Sequence, residues 1–197
     1  MLGCLYLGQW AYLGLVGLPS GLWDLQYTHA EKSLEKSPPY SKKSIERFRK
    51  AAALAELLPE EDGRLARTYH DFGVLLWLTG RPNEARVYIW RSAEIFERVD
   101  GPEATWTGVL CERKAELELL RGRKHKALPL LRRAEAILLR TQGNFDPMAL
   151  RTMSLLAVHL KDPERAERAL LWSRSSRLPL DALTRLQLQK LIPKINP

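Results

Sequence analysis

Cysteine is scarce in this chain of 197 residues: Cys4 and Cys111 are the only two, and they stand far apart. That excludes a disulfide scaffold and a zinc site built from cysteines, and makes a reduced, cytoplasmic setting the expectation. The four histidines, His29, His70, His125 and His159, are isolated, and none forms the i, i+4 pair around a glutamate that a helical zinc site uses. No glycine-rich phosphate loop is present. The neighbours His70 and Asp71 are expected on different helix faces, too far round to act as a pair. Catalysis, a metal and a cofactor are therefore not expected. Charge is missing from one stretch: residues 1–23 carry no charged side chain. Such a run raises the question of a membrane span or a signal peptide. Five glycines, Gln9 and the pair Pro19-Ser20 interrupt it, and no basic segment precedes it. The reading is against both, with membrane contact through residues 1–23 as the alternative.

What is present is positive charge, and it is uneven. The formal net charge is +8. Residues 1–40 carry 2 basic and 3 acidic side chains, residues 41–100 carry 11 and 10, and residues 101–197 carry 18 and 10, so the surplus lies in the C-terminal half. Its densest part, Arg121, Arg123, Lys124, Lys126, Arg132 and Arg133, with Arg140 beyond, forms a basic patch that suits nucleic acid or another polyanion. Glu112, Glu116, Glu118 and Glu135 are interleaved with it, and no recognition-helix motif accompanies it.

From about residue 20 the chain is rich in Ala, Leu, Glu and Arg without sustained alternation of apolar and polar residues, so helices are expected throughout and strands nowhere. Breakers recur at Pro38-Pro39, Pro59 to Gly63, Gly80 to Pro82, Gly101-Pro102, Gly122, Gly143 to Pro147, Asp162-Pro163 and Pro179. They cut the chain into roughly ten helices of hairpin length. Asp146-Pro147 and Asp162-Pro163 each set an N-cap acceptor before a proline suited to the first helical position.

Three phrases align: Gly80-Arg-Pro-Asn-Glu-Ala85, Gly122-Arg-Lys-His-Lys-Ala127 and Lys161-Asp-Pro-Glu-Arg-Ala166. Their alanines are 42 and 39 residues apart. Upstream of each is a small residue, Gly73, Ala115 or Ser154; downstream are Ile89, Leu131 and Leu170, then Ser92, Ala134 and Ser173. A fixed period with small residues on both facing helices resembles the tetratricopeptide repeat (TPR) family, in the longer form of kinesin light chains. Residues 9–38 match the standard form, with Trp10, Leu13, Gly14, Gly21, Ser33 and Pro38 at signature positions, although Gln26 and Ala30 depart from it. In a second register residues 22–36 pair with 41–58 and leave residues 1–18 as a cap.

The resemblance implies an all-α, right-handed α-solenoid of antiparallel helix hairpins. Residues 1–58 would hold degenerate repeats with an apolar N-terminal helix. Residues 60–177 would hold three hairpins, at about 64–100, 103–141 and 146–177, and residues 178–197 a capping helix and tail. It also implies a non-catalytic scaffold or adaptor that holds a protein or peptide along the first helices. Carrying the family's groove positions over residue by residue gives Arg67, His70 and Trp77, then Glu112, Arg113 and Glu116, then Met148 and Arg151. Val74, Val109, Leu155 and Val158 fall at the same faces and read equally as packing. Arg67, Arg113 and Arg151 would receive carboxylates, since the guanidinium fork fits them in bidentate geometry. A chaperone-tail clamp is not expected, because it needs asparagines on successive first helices and this chain has only Asn83, Asn144 and Asn196. An accessory subunit of a larger, membrane-associated complex is a further alternative.

Overall fold

The computed structural model describes residues 20–35, 41–142, 146–176 and 180–192. The expectations placed on Cys4, Trp10 and the uncharged run up to residue 19 lie outside these residues. Helices follow one another along the chain: α1 (20–34), α2 (Lys42–Ala55), α3 (Gly63–Leu78), α4 (Pro82–Val99), α5 (Thr105–Leu120), α6 (Lys124–Gln142), α7 (Pro147–Leu160), α8 (Pro163–Ser175) and α9 (Ala182–Leu191). No strand occurs among the described residues. The chain divides into two compact units, Met1–Val99 and Asp100–Pro197.

Side-chain caps start many of these helices. Ser41, Asp62, Asp146, Asp162 and Asp181 each accept a hydrogen bond from a backbone N–H in the first turn that follows. Pro147 and Pro163 occupy the first helical position, where no N–H is needed.

Three hairpins close through the same turn. Arg81 N–H donates to Leu76 O at 2.8 Å, Arg123 N–H to Glu118 O at 2.9 Å and Asp162 N–H to Ala157 O at 3.0 Å. The residue before each donor is left-handed: Gly80 at φ 78°, Gly122 at φ 72° and Lys161 at φ 56°. This is the bond pattern that satisfies the last carbonyls of a helix. The alanines that follow, Ala85, Ala127 and Ala166, are fully buried. A Cβ built on Gly73 would lie 2.8 Å from Ile89 Cδ1 and 3.3 Å from Ala85 O, so the glycine is what lets α3 and α4 approach. Ala115 and Ser154, at the equivalent places on α5 and α7, are buried.

The N-terminal unit has an aromatic core. Trp23 stacks on Tyr27 at 4.8 Å, Tyr27 meets Phe48 edge-on at 6.3 Å, Phe48 stacks on Phe72 at 6.4 Å, and Phe72 tilts against Tyr88 at 4.6 Å, so one ladder joins α1 to α4. Helix α1 contacts α2 through this ladder, through Ser44 Oγ donating to Ser33 O and through Arg47 donating to His29 O. It contacts α3 through Trp23 Nε1, which donates to Thr68 Oγ1 at 3.0 Å.

The C-terminal unit is built from aliphatic residues. Ala115, Ala127, Leu131 and Leu156 form one cluster, with Leu119, Leu128, Leu130, Leu155 and Leu160 packed against it. Leu150, Met153, Ala157, Ala166, Ala169, Leu170 and Leu188 form another, which ties α9 to α7 and α8. Cys111 is buried, as its place in the repeat suggests. Among the described residues, no helix is long and apolar enough to cross a membrane.

Candidate functional site

Helices α7 and α9 enclose a cleft of about 660 Å³ in the C-terminal unit. Met148, Leu155 and Val158 line one wall from α7, Gln187 stands on α9, and Leu180 contributes from just ahead of α9. The α7 positions run from Met148 to Val158, about 15 Å at the helical rise per residue. That length suits about five residues of extended peptide.

Beneath the cleft sits a charged network joining α5 to α7. Glu112 is fully buried and Glu116 nearly so. Arg151 Nη1 lies 3.0 Å from Glu112 Oε1, and Arg151 Nη2 pairs with Glu116 Oε1. Arg113 Nη1 pairs with Glu116 Oε2 at 2.9 Å and approaches Glu112 at 3.7 Å. Thr152 Oγ1 donates to Glu112 Oε2 at 2.7 Å. Two carboxylates thus face two guanidiniums. Burial pushes the Glu112 carboxyl above the ordinary carboxylate range, against the opposing pull of Arg151 and Arg113. His159, at one end of the cleft, is held below the usual histidine range by burial and by the nearby Lys124.

The sequence-predicted groove residues of the C-terminal unit therefore fall into two places. Glu116, Met148 and Arg151 line the cleft, and Glu112 and Arg113 lie in the network below it. Arg113 and Arg151, expected to receive a partner's carboxylates, engage carboxylates of their own chain. Removing them would strand buried negative charge, so their replacement tests stability before it tests binding.

In the N-terminal unit, Arg67 is over half exposed and pairs with Glu31 at 3.3 Å while its guanidinium sits 5.5 Å over the Tyr27 ring. With Val74, Glu31 and Asp71 it lines a smaller hollow of about 330 Å³. Trp77 is half-buried. The expectation that His70 and Asp71 cannot pair is corrected: His70 Nδ1 lies 2.8 Å from Asp71 Oδ1. Adjacent residues diverge by about 100° around a helix, but the short Asp71 side chain and the pivoting imidazole reach each other near the backbone. Tyr27 donates to the other oxygen of Asp71, and its hydroxyl is driven far above the ordinary tyrosine value, first by burial and then by that carboxylate. Sequence reasoning missed Tyr27 and Thr152, whose partners lie 44 and 40 residues away, and no local signal marks either.

Within the basic patch, Arg121, Lys124, Lys126 and Arg132 are exposed. Arg123 lies 3.7 Å from the buried Glu118, and Arg133 donates to Pro102 O at 2.9 Å. Arg140 pairs with Glu103 at 2.7 Å. Among the described residues no group of three or more histidines, cysteines or acids is placed to hold a metal ion.

No protein-family model matches the chain, and no curated protein matches it in sequence. Solved structures do match it in shape. The nearly identical TPR-like repeats of a kinesin light chain-type protein from Podosopora anserina superpose with a TM-score of 0.63 at 18% identity, covering 88% of this chain and 84% of that one. BtubC (BKLC) from P. vanneervenii superposes with a TM-score of 0.64 at 18% identity, covering 94% of this chain and 76% of that one. At this identity the likeness concerns the fold, and it agrees with the recurring turn, the buried alanine after it and the small residue on the facing helix. In its fold the chain is a TPR-like α-solenoid of antiparallel helix hairpins, similar to kinesin light chain repeats.

Proposed function

We propose that the chain is a non-catalytic scaffold that holds a protein or peptide partner, with the cleft between α7 and α9 as a seat. The observation that carries this reading is the cleft itself: a concave surface whose walls are largely apolar, set on a polar floor. Helical repeats of this architecture present such surfaces because each hairpin contacts only its neighbours and leaves one row of helices facing outward. Gln187 is exposed on α9, so Gln187→Trp should fill the cleft without disturbing the core. Full-length wild type and Gln187→Trp are compared in affinity capture, with thermal unfolding as the control. A protein retained by the wild type and lost by the variant at unchanged stability supports the reading; equal retention overturns it. The exposed Arg121, Lys124, Lys126 and Arg132 favour a second surface for polyanions. An oligonucleotide shift that weakens as salt rises would reveal it, and no shift at low salt would remove it.

A further inference from the structure

The charges around the cleft say what kind of segment it takes, an inference that rests on the cleft being the seat. Each ionised side chain lining it is already engaged. Arg151 places one arm of its guanidinium on Glu112 and the other on Glu116, and Glu116 also receives Arg113. The positive charge of Arg151 is thereby already offset by two carboxylates of its own chain, which weakens its pull on an incoming one. Asp181 accepts from Thr184 N–H at 2.8 Å and from Thr184 Oγ1 at 2.6 Å, and these bonds hold it ionised below the usual carboxylate range. It adds negative charge to the cleft wall. Burial and the nearby Lys124 favour the neutral form of His159.

An acidic peptide would meet Asp181 and Glu116, and the cation lining the cleft, Arg151, is already offset by two carboxylates, so the peptide would lose hydration for little return. The remaining lining matches a different ligand. Met148, Leu155, Val158 and Leu180 offer aliphatic and thioether surface, and methionine adapts its unbranched chain to varied shapes. Ser154, Thr184 and Gln187 supply neutral hydrogen-bonding groups along the same walls, which suit the amides of a peptide backbone.

We propose that the cleft between α7 and α9 binds an uncharged, apolar peptide segment and rejects acidic ones. The choice follows from charge and surface together: Arg113 and Arg151 offset Glu112 and Glu116, Asp181 leaves a surplus negative charge that repels acidic segments, and the apolar walls supply the contact area.

The test is a peptide array in which apolar uncharged, acidic and basic sequences of one length are equally represented, probed with the full chain at low and high salt. The expected result is retention on apolar uncharged sequences, insensitive to salt and reduced roughly tenfold by Gln187→Trp. Retention on acidic or basic sequences that is lost with Gln187→Trp overturns the ligand class while leaving the cleft as the seat. Retention equal in wild type and Gln187→Trp, or no retention, overturns the seat as well. Thermal unfolding of Gln187→Trp alongside the array separates loss of binding from loss of fold.

Discussion

Replacing Gly73 by alanine sets two opposed effects against each other within one helix. Alanine favours a helix interior over glycine by about 0.8–1 kcal/mol, which would stabilise α3. The added Cβ would stand 2.8 Å from Ile89 Cδ1 and 2.9 Å from Ile89 Cγ1, closer than carbon atoms pack, with Ala85 O at 3.3 Å behind them. Overpacking of this kind costs about 1–3 kcal/mol, so Gly73→Ala should destabilise the protein by about 1 kcal/mol. Gly63 provides the internal control. A Cβ there meets nothing within 4 Å, and Gly63→Ala should stabilise by about 0.4–1 kcal/mol. Equilibrium urea denaturation of the full chain measures both. Removing the offending methyl with Ile89→Val should cost about 0.5–1.5 kcal/mol alone, and clearly less on the Gly73→Ala background. If Gly73→Ala stabilises as much as Gly63→Ala, or if the double substitution is additive, the close approach of α3 and α4 does not limit packing.

Three further outcomes are expected. Lys161→Gly should stabilise by roughly 0.5 kcal/mol, since it relieves a left-handed lysine costing about 1–2 kcal/mol and returns part of that in chain entropy; a lower urea midpoint would refute this. Arg151→Ala should lose about 2–4 kcal/mol, somewhat less than for a fully buried pair because Arg151 is partly exposed, and an unchanged midpoint would mean that the network below the cleft is not coupled to folding. Glu112 binds its proton more tightly folded than unfolded, so its contribution to stability is present at and below the ordinary carboxylate range and is lost as pH rises above it. Glu112→Gln should therefore gain stability relative to wild type as pH rises towards neutral; parallel pH curves for the two would refute the assignment.

The repeat was legible in the sequence because its physical requirement is local. Two helices joined by a tight turn approach closely only where both carry small residues, and Gly73, Ala115, Ser154 and the three buried alanines mark those places. Lys161 sits in the left-handed position that glycine holds in the other two turns, so a departure from the expected residue left the backbone path intact. Glu112, Arg113, Glu116 and Arg151 were read as groove positions, but their pairing with one another was not legible, for the opposite reason. Glu112 and Glu116 stand i, i+4 with Arg113 beside them, which reads as a solvated helix face, and only Arg151 on a later helix makes their burial tolerable. The tie between Tyr27 and Asp71 escaped notice for the same reason, being a contact across 44 residues.

The three matching turns carry an implication for how such a chain can change in length. Each is closed by main-chain atoms, from Arg81 to Leu76, Arg123 to Glu118 and Asp162 to Ala157, and the side chains at those six places have little in common. The joint therefore works like a standard coupling whose fitting does not depend on the parts it connects. A segment cut at one such joint and spliced at another arrives with its helices already aimed correctly. Growth by duplication, or recombination between neighbouring hairpins, would preserve the backbone path and leave only the facing side chains to be readjusted.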